Sequence, residues 1–219
     1  MPTLAILPVK NFADAKQRLG SELAPGPRRA LAEAMFSDVL VALRRAQAVD
    51  EVLVVTGDHG AQRIAGGHGA IVLDDEERGH NVAAATGIRA ALERGVDRAL
   101  LVPADCPLLD PQQLDELIAR PAQQRSALIV PDRHGTGTNA LLLTPPDSLT
   151  PAFGEGSCER HVSNAGAAGT THEVVEVPSL ALDIDTPDDL EALQATFATV
   201  HGKAAHTRGM ISQLIQSRA

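Results

Sequence analysis

Three aspartates at predicted strand ends are the side chains best placed for chemistry. Asp105 follows the apolar run 99–102 and a proline, where an inner strand of a parallel sheet would end. Asp183 and Asp185 are two residues apart in a predicted strand, so both would point to one side. Such carboxylates repel unless a cation separates them, and Mg²⁺ prefers oxygen ligands. We therefore predict an Mg²⁺ site; in the alternative, Asp185 only caps the next helix and Asp183 is solvated.

Two glycine-rich turns could bind a phosphate. Residues 135–138 read Gly-Thr-Gly-Thr and residues 154–157 read Gly-Glu-Gly-Ser. Glycine lets backbone N–H groups approach an anion, and the hydroxyls of Thr138 and Ser157 add donors. A helix that begins near Ser157 would add its positive end. Two ordinary turns explain the same pattern equally well.

The N-terminal segment is basic although the chain is acidic. Residues 1–29 hold five Lys and Arg against two acidic residues, whereas the whole chain has a formal net charge of -9. Lys10, Lys16 and Arg18 follow the first predicted strand, where α/β folds place a nucleotide-binding loop. They could neutralise a triphosphate, but a solvated basic loop fits the charge as well. The segment lacks the P-loop and G-x-G-x-x-G patterns, which disfavours both of those nucleotide-binding classes.

Composition limits the class of protein. A chain of 219 residues with 44% apolar side chains suits one α/β domain. It shows no apolar window long enough for a membrane span and no signal peptide, and its two cysteines do not suggest a disulfide framework. We therefore expect a cytoplasmic protein that does not bind membranes. The acidic charge and the absence of Trp and Tyr argue against nucleic-acid binding.

The order of predicted elements indicates a three-layer α/β fold with a mostly parallel sheet. Predicted strands cover residues 3–9, 51–56, 70–73, 96–102, 126–130, 139–143, 173–177 and 181–185. The pair within 126–143 is expected as an excursion from the sheet. Residues 1–199 form one predicted domain, and residues 200–219 are either a weakly ordered tail or a docking helix.

Weaker signals lie outside these groups. His80 and Asn81 open a predicted helix, where they could cap it or contact a base; we count Asn81 among the substrate-binding residues. Cys106, His134 and His161 show no zinc spacing, and there is no G-x-S-x-G motif of a serine hydrolase.

Several motifs in order resemble one enzyme family. They are Pro8-Val9-Lys10, Ala15-Lys16-Gln17-Arg18-Leu19, Pro103-Ala104-Asp105-Cys106-Pro107-Leu108, Gly135-Thr136-Gly137-Thr138-Asn139, Phe153-Gly154, Ser157, Arg160-His161 and Asp183-Ile184-Asp185-Thr186-Pro187-Asp188-Asp189-Leu190. From about residue 4 to residue 195 the chain resembles the guanylyltransferases of coenzyme F420 biosynthesis, which use 2-phospho-L-lactate or phosphoenolpyruvate.

The resemblance implies a Rossmann-like fold similar to the nucleotide-diphospho-sugar transferases. It implies GTP as donor, a small phosphorylated three-carbon acid as acceptor (phosphoenolpyruvate, 2-phospho-L-lactate or 3-phospho-D-glycerate) and release of pyrophosphate. By the same resemblance, the Mg²⁺ ligands are Asp105, Asp183 and Asp185, the acceptor-phosphate residues are Thr138, Gly154 and Ser157, and the catalytic residues are Lys10, Lys16, Arg18 and Asp105.

The sequence departs from the family pattern at two places, and two other classes of protein stay open. His80 stands where the family would have an aliphatic residue, and the 155–158 segment is looser, so base selection and acceptor identity are undecided. The chain could instead be a molybdopterin or sugar-phosphate nucleotidyltransferase, although residues 10–16 lack the glycine-rich first loop of those enzymes. It could also be a non-catalytic nucleotide-binding protein. The oligomeric state is undecided, with a homodimer as one alternative.

Overall fold

The computed structural model describes residues 1–75 and 79–216, which form a seven-stranded sheet between layers of helices. The strands are β1 (Thr3–Pro8), β2 (Glu51–Val55), β3 (Ile71–Leu73), β4 (Arg98–Leu101), β5 (Ser126–Pro131), β6 (Thr138–Thr144) and β7 (Thr171–Val174). The helices are α1 (Pro25–Arg45), α2 (His59–Gly67), α3 (His80–Glu93), α4 (Pro111–Ile118), α5 (Ser157–Ala167), α6 (Pro187–Thr199) and α7 (Ala205–Gln216). None of these helices is long and apolar enough to cross a membrane.

The predicted fold class is confirmed by the order of the strands. The sheet runs β3-β2-β1-β4-β6-β5-β7, and β6 alone among the described strands runs against its neighbours. The strand pair predicted as an excursion is instead part of the main sheet, because β6 pairs with β4 on one side and β5 on the other. The carboxyl ends of β1 and β4 therefore lie side by side, where the predicted site residues follow them.

Strand β1 has no polar face because helices cover both sides of it. Ala5 and Leu7 pack into the cluster that includes residues of α1, α2 and α4, whereas Leu4 and Ile6 face α3 and α5. This burial on two faces explains why the strand is a continuous apolar run rather than an alternating one.

A third apolar cluster lies beside the site, between α1, α6 and α7. Ile184 is fully buried in it. For residues 200–219 the sequence analysis gave two alternatives, a weakly ordered tail or a docking helix. The described part of this segment contains α7, which packs against α1. Asp38, inside α1, accepts hydrogen bonds from the backbone N–H groups of His206 (3.1 Å) and Thr207 (2.8 Å) and so caps α7.

Two strand predictions near the end of the chain are wrong. Residues 181–185 form no strand, because they follow a short 3₁₀ helix (Pro178–Leu180) and make isolated backbone hydrogen bonds in place of a ladder. The strand predicted at 173–177 is β7, which ends at Val174. Val175 and Val177 are apolar because they pack into the core beyond the strand end.

Gly87 sets the distance between α3 and β1. A Cβ atom at this position would lie 2.3 Å from Cγ2 of Ile6, a buried β-branched side chain with little freedom to move. We predict that Gly87→Ala lowers the free energy of unfolding by about 2 kcal/mol or more, measured by urea denaturation. Gly166→Ala is the matched control: this helical glycine has open space around it and should gain up to about 1 kcal/mol. Equal effects of the two changes would contradict the close packing.

Candidate active site

A buried ammonium group lies between two of the predicted metal-binding carboxylates. The Nζ atom of Lys16 donates to Oδ2 of Asp105 and, at 2.8 Å, to Oδ1 of Asp185. The Lys16 side chain is 7% exposed, whereas that of Asp185 is 48% exposed. Burial opposes the charge of Lys16, but the two carboxylates outweigh it and raise the lysine pKa. Lys16 thus contacts these two carboxylates, and its predicted contact with nucleotide phosphates stays a prediction.

Asp183 joins this group although its segment is not a strand. The backbone N–H of Ile184 donates to the carbonyl of Asp105 at 3.2 Å, and the buried Ile184 side chain anchors the segment. Oδ1 of Asp183 accepts a hydrogen bond from Nδ2 of Asn139 at 3.1 Å. Burial, and next the charge of Asp105, raise the pKa of Asp183 to about 6. Asp183 and Asp105 are therefore close enough for their charges to repel.

Lys10 and Arg18 extend the positive side of the site. Both are exposed. Although burial acts in the opposite direction, Lys16, Arg18 and Lys10 together lower the pKa of Asp185. The structure thus brings the three predicted basic residues within electrostatic reach of one aspartate.

An open cleft begins at the carboxyl end of β1. Its lining residues are Pro8, Val9, Lys10, Asn11, Asp14, Asp75, Gly79, His80 and Ala83. Burial, and next the charge of Lys10, lower the pKa of His80. His80 is therefore uncharged at neutral pH and can face a neutral ring without bringing a charge into the cleft.

The predicted acceptor residues lie at the start of β6 and the start of α5. Thr138 begins β6, and Ser157, 1% exposed, begins α5. Gly154 has φ +118°, a conformation that favours glycine, so the turn there depends on residue type. The N–H groups of Ser157 and Cys158 donate to carbonyls of Gly154 and Thr136. Those two N–H groups are therefore already used within the protein.

Three side chains hold the loop of residues 152–156 by its backbone. Asn81 accepts from the N–H of Phe153 (2.8 Å) and donates to its carbonyl (3.2 Å). Arg160 donates to the carbonyls of Ala152 and Glu155, and His161 accepts from the N–H of Ala152 at 2.8 Å. The amide of Asn81 thus positions the loop, and its predicted contact with a substrate stays a prediction.

Sequence reasoning missed the contacts that join these groups. Asn139 was noted only as part of a motif, yet it connects β6 to Asp183. Arg160 and His161 carried no role, although both hold the 152–156 loop. Their position one turn into a helix that follows a glycine turn was the available signal. Each bond joins residues from different segments, so spacing alone could not reveal it.

The described residues contain no ready-made cluster of three His, Cys, Asp or Glu side chains that could hold a metal ion. Lys16 lies between Asp105 and Asp185, and Asp183 is bonded to Asn139. The Mg²⁺ site therefore stays a prediction that rests on the types of the donors.

Several solved structures have the same fold. A candidate nucleotide-diphospho-sugar transferase from Desulfovibrio desulfuricans G20 superposes with a TM-score of 0.78 at 17% identity, over 99% of this chain and 98% of that one. A cytidylyltransferase from Leptospira borgpetersenii superposes with a TM-score of 0.62 at 16% identity, over 100% and 95%. The fold is that of the nucleotide-diphospho-sugar transferases and cytidylyltransferases.

Sequence comparison narrows the class to a family. A family model described as "Guanylyl transferase CofC like" matches residues 3–217. The chain is 56% identical to a phosphoenolpyruvate guanylyltransferase of Conexibacter woesei, over 99% of this chain and 98% of the relative. It is 35% identical to a 3-phospho-D-glycerate guanylyltransferase of Colwellia psychrerythraea (88% and 91% covered) and 32% identical to a 2-phospho-L-lactate guanylyltransferase of Methanothermobacter thermautotrophicus (98% and 92%). The chain belongs to the CofC-like guanylyltransferase family, as the resemblance indicated.

The ion bridge at Lys16 is testable by substitution. We predict that Lys16→Met lowers the free energy of unfolding by about 2 kcal/mol at pH 8, because Asp105 and Asp185 lose their shared counter-charge. The double variant Lys16→Met/Asp185→Asn should recover part of the loss. Lys10→Met makes the same change on an exposed side chain and should alter stability by less than about 0.5 kcal/mol. If Lys16→Met is as stable as the wild type in urea denaturation, the ion bridge is contradicted.

Proposed function

We propose that this protein transfers GMP from GTP to the phosphate of phosphoenolpyruvate and releases pyrophosphate, in coenzyme F420 biosynthesis. Membership of the family supports the reaction class. We choose phosphoenolpyruvate because the relative named a phosphoenolpyruvate guanylyltransferase is 56% identical to this chain. The relatives named for 3-phospho-D-glycerate and 2-phospho-L-lactate are 35% and 32% identical.

The observation that carries the proposal is the adjacency of two polar sites. Asn139 of β6 donates to Asp183, and Thr138, the residue before it, begins the same strand. A nucleotide in the cleft and a phosphate at the start of α5 would therefore approach each other near Asp183. Two anions that must react need such a meeting point between cationic and hydroxyl groups.

The cleft suits the nucleotide. Its lining combines apolar side chains with polar groups, as small-molecule sites do. The triphosphate would extend towards Lys10 and Arg18, whose exposed cationic groups can bind it without the cost of prior desolvation. His80, uncharged, would border the base or ribose.

The three carboxylates fit a divalent cation by their chemistry. All are hard oxygen donors, and Asp183 lies close enough to Asp105 for the charge of Asp105 to raise its pKa, after the larger effect of burial. Asp105, Asp183 and Asp185 would hold Mg²⁺ once Lys16 no longer occupies the space between Asp105 and Asp185. A bound Mg²⁺ would supply charge neutralisation for the transferring phosphates.

The reaction needs no nucleophilic side chain. A phosphate oxygen of the acceptor attacks the α-phosphorus of GTP, a new P–O bond forms, and the bond to pyrophosphate breaks. That oxygen is already ionised near neutral pH, so no general base is required. Lys10 and Arg18 would offset the charge of the leaving pyrophosphate, and Thr138 and Ser157 would orient the acceptor.

The reaction is tested by pyrophosphate release with GTP, Mg²⁺ and each of the three phospho-acids. We expect release with phosphoenolpyruvate and less than about a tenth of that rate with ATP or CTP, because base contacts discriminate by binding energy. Release with another acid would move the acceptor assignment and keep the reaction class. Absence of release with all three acids would overturn the proposal in favour of a non-catalytic nucleotide-binding protein.

The metal assignment is tested without turnover. Mg²⁺ should raise the melting temperature of the wild type but not of Asp183→Asn. Asp188→Asn is the control, because Asp188 is an exposed aspartate in the first turn of α6, close to Asp185 in the chain.

In EDTA, where no Mg²⁺ is bound, we expect Asp183→Asn to be the more stable of the two proteins. The pKa of Asp183 is raised in the folded state from 3.8 to about 6, so its ionisation destabilises the fold as pH rises through that window. Asp183→Asn should therefore be more stable than the wild type at pH 7.5, by about 1 kcal/mol after discounting for partial exposure, and equally stable below pH 4. Equal Mg²⁺ stabilisation of both proteins would exclude Asp183 as a ligand.

A further inference from the structure

His161 is buried behind the predicted acceptor site and uses both ring nitrogens. It is 0% exposed. Its Nε2 accepts the backbone N–H of Ala152 at 2.8 Å, and its Nδ1 lies 2.9 Å from Oγ1 of Thr138. Phe153 packs edge-on against the ring at 5.2 Å between centroids, which further limits its rotation.

The contact with Ala152 fixes the tautomer. A backbone N–H can only donate, so Nε2 must carry a lone pair and no proton. Burial, and next the charge of Arg160, lower the pKa of His161 to about 4, so the ring is neutral at physiological pH. A neutral imidazole without a proton on Nε2 carries it on Nδ1. The hydrogen bond between His161 and Thr138 therefore runs from Nδ1–H to Oγ1.

This direction leaves the hydroxyl proton of Thr138 unused. A threonine hydroxyl offers one donor and two acceptor lone pairs, and the ring takes one lone pair. Within residues 1–75 and 79–216, no other recorded hydrogen bond involves Oγ1 of Thr138. Had the ring accepted from Thr138, the hydroxyl would have only lone pairs to present, and these repel an anion.

We propose that His161 is a positioning residue for the acceptor: its Nδ1–H orients the Thr138 hydroxyl so that the hydroxyl proton is donated to the anionic acceptor. The inference rests on the proposed function, because it assigns Thr138 to that acceptor. It matters here because the N–H groups of Ser157 and Cys158 are bonded within the protein. Binding of an anion at the start of α5 therefore depends on hydroxyl donors more than on these two backbone N–H groups.

Two substitutions separate orientation from mere support of the loop. In His161→Gln the amide oxygen can reach the Nε2 position and accept from Ala152, but the donor to Thr138 is lost. In His161→Asn the amide nitrogen can reach the Nδ1 position and donate to Thr138, but the contact with Ala152 is lost. Thr138→Val removes the hydroxyl at nearly constant shape, and Thr138→Ser retains it.

The kinetic arm measures KM for phosphoenolpyruvate and for GTP separately. We expect Thr138→Val and His161→Gln each to raise the acceptor KM about tenfold, the worth of one hydrogen bond to a charged group. The GTP KM should stay within about twofold. His161→Asn and Thr138→Ser should raise the acceptor KM less than His161→Gln and Thr138→Val do, and Thr138→Val/His161→Gln should be no worse than Thr138→Val alone. An unchanged acceptor KM in His161→Gln, or equal losses in His161→Gln and His161→Asn, would overturn the proposal.

Two further measurements do not need turnover and keep the proposal separate from the proposed function. Long-range ¹H–¹⁵N spectra of the imidazoles at pH 7.5 report the tautomer of each of the eight histidines, and the His161 signal is the one lost in His161→Gln. A proton on Nδ1 supports the proposal, and a proton on Nε2 overturns it. Inorganic phosphate, titrated by calorimetry, should bind about tenfold more weakly to His161→Gln and Thr138→Val. If the wild type releases no pyrophosphate with any acid, the proposed function fails while these two measurements still decide the role of His161.

Discussion

The arrangement of the site depends on one buried ammonium group. Lys16 joins the N-terminal segment to Asp105, which is 89 residues away, and to Asp185, which is 169 residues away. Without it, three carboxylates would converge beside a buried apolar cluster with Asn139 as a hydrogen-bond donor to one of them. The backbone of Lys16 has φ 58°, which is costly for a side-chain-bearing residue, so the surrounding contacts must hold the lysine in this conformation. The positive charge of the N-terminal segment is thus partly a structural component of the acidic site.

Local patterns were sufficient to predict the sheet and the position of Asp105. A strand buried on both faces has a distinctive apolar sequence, and a following proline marks its end, so β1 and β4 were predicted close to their observed bounds. Asp183 and Asp185 were predicted at the right place for the wrong reason. Ile184 is apolar because it packs beneath the site, and its backbone N–H bond to the carbonyl of Asp105 brings the aspartates on either side of it there. Apolar spacing cannot distinguish this anchor from a short strand.

The contacts that sequence could not predict are side chains bonded to distant backbone. Asn81 lies 72 residues from Phe153, and the same residue type would have served equally well as a helix cap or a substrate ligand. His161 gave only a weak signal for the same reason: a histidine in an amphipathic helix is compatible with packing, metal binding or catalysis. Its two bonds become meaningful only when the partners on either side of the ring are known. The family resemblance supplied the predicted acceptor residues, and the structure shows the groups that contact them.

The capping of α7 by Asp38 has a consequence for synthesis of the chain on the ribosome. Asp38 is made early, but its partners His206 and Thr207 follow 168 and 169 residues later. The parallel strands and their helices can pack while the chain emerges, since domains fold from the N-terminus as they are made. The cluster around Ile184, however, is not covered by α7 until that helix leaves the exit tunnel. The aspartates on either side of Ile184 would then reach their final positions only after the sheet is nearly complete.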